Sequence, residues 1–128
     1  MGMKLYHFTS RHHIQSCREQ GLTLGMIPVS IYPIKLISGY QWLTKNKSFE
    51  QAWYKYSTLP YRREEYRITV VIPKAQMKNV IPWLQYCEDT KLESAADLKA
   101  FGDPQNWMLF RGIVLPEWFR KISHNPRG

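Results

Sequence analysis

Proline and glycine punctuate this chain from end to end, with eight prolines and seven glycines spread through 128 residues. That spacing cuts the chain into many short elements and suits one small domain better than long helices or a repeat array. No internal repeat, low-complexity tract or linker is present. Residues 1–123 are expected to form the domain and 124–128 a polar tail, with the last six residues frayed. A hydrophobic fraction of 44% with 14% aromatics is too apolar for a disordered segment and implies a real core.

Several classes are disfavoured at once. No stretch approaches the roughly 18 uninterrupted apolar residues of a membrane-spanning helix, so no membrane partner is expected. The start, Met-Gly-Met-Lys-Leu-Tyr-His-Phe-Thr, has no apolar signal core. Tyr6 stands where myristoylation requires Ser or Thr. Two cysteines, Cys17 and Cys87, cannot build a disulfide framework or a four-thiolate metal site. The expectation is a reduced, cytoplasmic protein. Lys and Arg number 18 against 10 Asp and Glu, giving net charge +8 and a pI near 9.6. Such a field attracts polyanions: nucleic acid, a dinucleotide or an acidic protein. The alternative is a plain solvated basic surface, and no run of five basic residues marks a nucleic-acid arm.

Along the chain, Lys4 to Thr9 alternates and reads as a first strand. Ser10 is a good N-cap for a helix over 10–20, which Gly21 ends. Leu22 to Gly25 is a short extended piece. Pro28 and Pro33 break the apolar run 26–39 into a loop with extended segments. Tyr40 to Thr44 is a strand, and Ser48 caps a helix from Phe49 to about Tyr56. Tyr66 to Pro73 is the clearest strand, rich in β-branched residues. Residues 76–87 are ambiguous around Pro82. A helix is expected over 94–101, a buried strand over 107–115 and a helical turn over 117–122 opened by Pro116. Without a long alternation of apolar strands and amphipathic helices, the class is α+β rather than a doubly wound sheet.

Familiar catalytic and ligand motifs are missing. His12 and His13 are adjacent and point apart on a helix, and there is no His-Glu-x-x-His or Cys-x-x-Cys, so metal binding is not expected. No Gly-rich phosphate loop and no Gly-x-Ser-x-Gly elbow occurs. Three clusters at strand ends remain. The first is Leu5-Tyr6-His7-Phe8-Thr9, with Ile14 and Gly21-Leu22 downstream. The second is Tyr40-Gln41-Trp42-Leu43-Thr44, followed by Trp53 and Tyr54. Two indoles eleven residues apart on a strand and its following helix suit a slot for a flat cationic ring, although plain core packing also explains one of them. The third is Asp103-Pro104-Gln105-Asn106-Trp107-Met108-Leu109-Phe110, a polar turn feeding a buried strand.

In order and spacing these clusters resemble the ADP-ribosyltransferase fold of diphtheria-type toxins, poly(ADP-ribose) polymerases and DarT-like toxins. In that family a first strand carries His followed by Ser or Thr, and a helix ending in Gly-Leu comes next. An aromatic strand then leads to a second aromatic on a helix, and a late strand opens with a catalytic glutamate. The resemblance implies a split mixed sheet with short flanking helices and NAD as substrate. Its acceptor would be a macromolecule, nucleic acid or acidic protein, in the setting of a toxin or phage effector. It implies that His7 hydrogen-bonds the adenosine ribose of NAD, that Thr9 buttresses it, and that Trp42 stacks on nicotinamide with Trp53 on the other face and Tyr54 beside it. Asn106 falls at the glutamate position. An amide there lacks the charge that stabilises a cationic ribose, so the chain is slow, or another carboxylate serves, or catalysis is lost. Asp103, Glu117 and Glu88 are the carboxylates to consider. Arg62, Arg63, Arg67, Arg111 and Arg120 are candidates for phosphate contacts or for pairing with Glu64 and Glu65. A silent NAD- or partner-binding relative and a basic module that stacks unpaired bases are the other readings.

Overall fold

The computed structural model describes residues 2–31, 34–49, 65–91 and 103–125. Its centre is a six-stranded antiparallel sheet. The strands are β1 (Met3–Thr9), β4 (Tyr40–Thr44), β5 (Tyr66–Ile72), β6 (Val80–Pro82), β7 (Trp107–Arg111) and β8 (Phe119–His124), in the order β6-β7-β4-β1-β5-β8. The intervening β2 (Met26–Ile31) and β3 (Ile34–Ser38) form a separate two-stranded sheet. Among the described residues two short helices, α1 (Ile14–Gln20) and α2 (Trp83–Asp89), complete an α+β architecture.

β-Branched alternation places the main core. Ile68, Val70 and Ile72 on β5 are fully buried, and the register sets Val70 opposite Leu5 and Ile68 opposite His7 on β1. Each such side chain contributes roughly 1.5–3 kcal/mol when removed from water. Leu43 of β4, Met108 and Phe110 of β7, Cys17 of α1, Leu22 and Val114 join the same cluster. A second, aromatic core of Ile27, Trp83, Tyr86, Cys87, Trp107 and Leu109 takes in Trp42 and Tyr40 at its margin. Neighbouring residues on β4 and β7 go to different cores, because successive side chains leave a strand on opposite faces. β7 is therefore covered on both sides, which explains its unbroken apolar run.

The sheet is antiparallel at every ladder, not mixed as the family resemblance implies. Its weakest join is central. β1 pairs with β5 over seven residues, whereas only Tyr6↔Thr44 joins β1 to β4.

Other differences from the sequence expectations have local causes. α1 begins at Ile14 with His13 as its N-cap, while Ser10 is buried with its hydroxyl unpartnered and its carbonyl turned to the His13 and Ile14 N–H groups. The Arg11 N–H is taken instead by the Glu65 carboxylate at 2.8 Å. The run 26–39 is a hairpin, with a register shift between Pro28 and Ser30 that accommodates a residue lacking an N–H. Around Pro82 the chain makes a 3₁₀ turn (Lys74–Asn79), then β6, then α2. β7 stops at Arg111, before Gly112 with φ 116. The expected helical turn after Pro116 is a 3₁₀ turn (Pro116–Trp118) followed by β8, which gives the open edge of β5 its backbone partners. Asn125, within the stretch expected to fray, is buried with its N–H on the Glu65 carbonyl at 2.8 Å. The helices expected over 49–56 and 94–101 fall outside the described residues, apart from Phe49.

Gly21 needs both its backbone conformation and its lack of a side chain. Its φ of 82 ends α1, and a Cβ there would meet the Val114 carbonyl oxygen. That close approach lets Leu22 and Val114 exchange backbone hydrogen bonds of 2.9 and 3.1 Å.

Trp83 tests the aromatic core. It is fully buried, stacks on Tyr86 at 5.5 Å and 21°, and has an unpartnered indole N–H. Trp83→Ala is expected to cost about 3–5 kcal/mol in urea unfolding. Trp83→Phe should cost less than half of that, because it keeps a ring and removes the orphaned donor. Equal losses for both would show that the core does not depend on ring packing here.

Candidate functional site

Where β1 and β4 part, a side chain replaces the missing ladder. His7 Nδ1 lies 2.8 Å from the Trp42 carbonyl oxygen across 35 residues of sequence. A carbonyl only accepts, so Nδ1 donates, and a neutral imidazole then carries its lone pair on Nε2. His7 is half-buried and two residues from Leu5, so it leaves β1 on the side of the main core.

Trp42 turns its ring the other way. The indole lies 4.9 Å from Trp83 and 5.9 Å from Trp107, the latter edge-on, and its Nε1–H donates to the Met26 carbonyl at 2.8 Å. The buried part of the ring thus belongs to the aromatic core, and its remaining surface faces outward. His7 and Trp42 are brought together through a backbone carbonyl rather than ring to ring. Thr9 is buried and hydrogen-bonded to the Cys17 thiol, so it is packed beneath the strand end. Burial nonetheless raises the Cys17 thiol above its ordinary range, and it raises that of Cys87 to about 11. Both thiols are protonated and unreactive at neutral pH. Trp53 and Tyr54 lie outside the described residues.

A polar cluster forms where β4 ends and β7 begins. Asp103 Oδ2 accepts from Asn106 Nδ2 at 2.7 Å and from Asn46 Nδ2 at 3.0 Å. The Lys45 N–H donates to the Asn106 carbonyl at 2.9 Å, which pins the cluster to β4. Asn106 and Asp103 therefore sit together, one strand removed from His7. Glu117 does not join them: it is exposed on the 3₁₀ turn beyond the other end of β7. Glu88 is exposed on α2.

Two charged groups named in the sequence, Glu65 and Arg67, have surroundings that the sequence does not specify. The Glu65 carboxylate is buried and pairs with Arg11, with Nη2 to Oε2 at 2.7 Å and Nε to both oxygens, while His124 Nε2 stands 3.8 Å away. Arg62 and Arg63, beside it in sequence, lie outside the described residues, and the β1–β5 register brings Arg11 to it from 54 residues away. Arg67 is half-buried, its guanidinium 4.7 Å from the Phe49 ring centre and 5.8 Å from that of Tyr6. Its Nη1 donates to the Lys47 carbonyl at 2.7 Å, so one edge of this candidate phosphate ligand is already engaged. Among the described residues no three His, Cys, Asp or Glu side chains gather to hold a metal. No helix among them is long and apolar enough to cross a membrane.

The Glu65 environment makes a pH prediction. Hydrogen bonding from Arg11 holds this carboxyl below the usual glutamate range, against the opposing effect of burial. The stabilisation is complete above the unfolded-state pKa, about 4.3, and is lost as pH falls through the lower folded value. Glu65→Gln should lower the urea midpoint at pH 7 and flatten its fall between about pH 5 and 3. An unchanged acid limb in that variant would remove Glu65 as its source.

Comparison with protein-family models, with curated proteins and with solved structures returned no match.

Proposed function

We propose that this protein is an ADP-ribosyltransferase-like protein that uses NAD as substrate and passes ADP-ribose to a macromolecular acceptor. The observation that carries this reading is the His7–Trp42 contact at the open seam between β1 and β4. Two of the three short motifs on which the family resemblance rests hold residues 35 apart in sequence, yet these meet where the sheet is least closed. A seam with few backbone pairs leaves polar main-chain groups within reach of a ligand.

In this reading His7 hydrogen-bonds the adenosine ribose. The His7 and Trp42 rings leave opposite faces of the sheet, so this reading has NAD cross the β1–β4 seam, with the outward part of Trp42 on nicotinamide and Thr9 supporting the strand; Trp53 and Tyr54, outside the described residues, keep the roles the resemblance implies. The bond that breaks joins nicotinamide N1 to ribose C1′. Its electron pair neutralises the pyridinium and leaves positive charge on the ribose. A nucleophile of the acceptor bonds C1′ and gives up its proton. Asn106 presents an amide to that ribose, and Asp103, 2.7 Å from it, is the nearest source of negative charge. Glu117, exposed beyond the far end of β7, remains a candidate only if the substrate extends that way. The net charge of +8 favours nucleic acid or an acidic protein as acceptor.

Titration with NAD while following tryptophan fluorescence is the primary test. Saturable quenching that vanishes in Trp42→Ala and weakens at least about tenfold in His7→Ala is expected, with both variants still folded. No quenching by NAD in the wild-type chain would end the proposal. Nicotinamide release then reports on chemistry. Asn106→Glu should raise it by up to about 10²–10³-fold. It should also move the pH profile upward, because two carboxyls this close share a proton. Adding Asp103→Asn to that variant should remove the upward move. A flat rate in both variants would break the assignment of this strand.

A further inference from the structure

The two sheets treat their edges differently. The six-stranded sheet ends in β6, three residues closed by Pro82, and in β8, whose Arg120 and Lys121 are exposed. Short strands, proline and charge are the ordinary guards against edge pairing. The hairpin has little of this. β3 has no second ladder among the described residues, and Lys35 to Ser38 are all exposed. Leu36 and Ile37 lie there at 49% and 38% exposure, and Lys35 is the only charge on the strand.

The other strand explains which way the hairpin faces. Ile27 of β2 is fully buried in the aromatic core, and the Met26 carbonyl holds the Trp42 indole N–H. β2 is therefore the anchored strand and β3 the presented one. The register pairs Met26 with Ser38 and Pro28 with Leu36, so Met26 and Leu36 share the outer face. Met26 is 49% exposed, and Leu24, two residues before it, is 78% exposed. An apolar surface of this kind beside an open edge marks an interaction site.

Charge selects the occupant. Residues 20–49 contain no Asp or Glu and three lysines, Lys35, Lys45 and Lys47. The chain as a whole carries +8, so a second copy meets like charge at this face. We infer that the edge of β3, which carries no second ladder among the described residues, binds an extended, acidic segment of a partner protein as an added strand. The partner's backbone completes the β3 ladder, its apolar side chains lie on Leu36, and its carboxylates meet Lys35. This inference is independent of any NAD chemistry.

An eight-residue peptide alternating Glu and Val, with its Lys-Val counterpart as control, supplies the probe. Fluorescence anisotropy should show saturable binding of the acidic peptide alone, weakening as salt rises. Hydrogen exchange should slow at the amides of residues 34–38. Leu36→Glu and Lys35→Glu should each weaken binding by about tenfold with the melting temperature unchanged, since both side chains are exposed. Equal binding of the basic peptide, protection at β8 instead of β3, or no saturable binding below about 1 mM would overturn the proposal. So would tighter association with phosphatidylserine vesicles than with the peptide, or self-association through this face in sedimentation.

Discussion

Burial of Leu5 against Ile68, Val70 and Ile72 is the constraint on which the remaining architecture depends. It places the first strand of the chain in the middle of the sheet, between strands that arrive some 35 and 60 residues later in sequence. The β1-β5-β8 half forms only once β5 docks on β1, so that half depends on contacts distant in sequence. α1 is set by the same event. Its start is fixed by the Glu65 carboxylate on the Arg11 N–H, and that carboxylate is delivered by the β1–β5 register.

Polar side chains bridge the places where backbone ladders stop. Gln41 is buried, accepts the Gly25 N–H at 2.9 Å and donates to the Gly112 carbonyl at 3.1 Å. It thus ties the hairpin entry to the end of β7. His7 does the same between β1 and β4, and Asp103 between the end of β4 and the start of β7. Buried polar groups require partners, and here each partner lies on another element. The result is a sheet whose halves are internally well paired and mutually joined through side chains. The seam that this creates is the setting for the proposed chemistry.

Legibility varies with how local the deciding interaction is. β1, β4 and β5 are legible in the sequence within a residue or so, because alternation and β-branched content act along one strand. The start of β7 is legible too, but apolar Ile113 and Leu115 suggest a longer strand although both are exposed. β8 reads as helical in the sequence: Pro116 does open a turn, but pairing with β5 draws residues 119–124 into the sheet. Of the candidate site, His7 and Trp42 are found through their strands, and Asp103 and Asn106 through their turn. Glu65 is named there as an ion-pair candidate, but its partner Arg11 is not, because it stands 54 residues away.

The amino-acid order by itself determined the α+β class, the basic surface and the positions of the most strongly patterned strands. These depend on side-chain periodicity and net charge, which are properties of short windows or of simple sums. Tertiary structure alone decided the order of strands, the antiparallel sense of every ladder, the split of aromatic and aliphatic side chains into two cores, and which carboxylate meets which donor. Those outcomes are settled by burial and hydrogen bonding between segments far apart in the chain, where no local pattern names the partner.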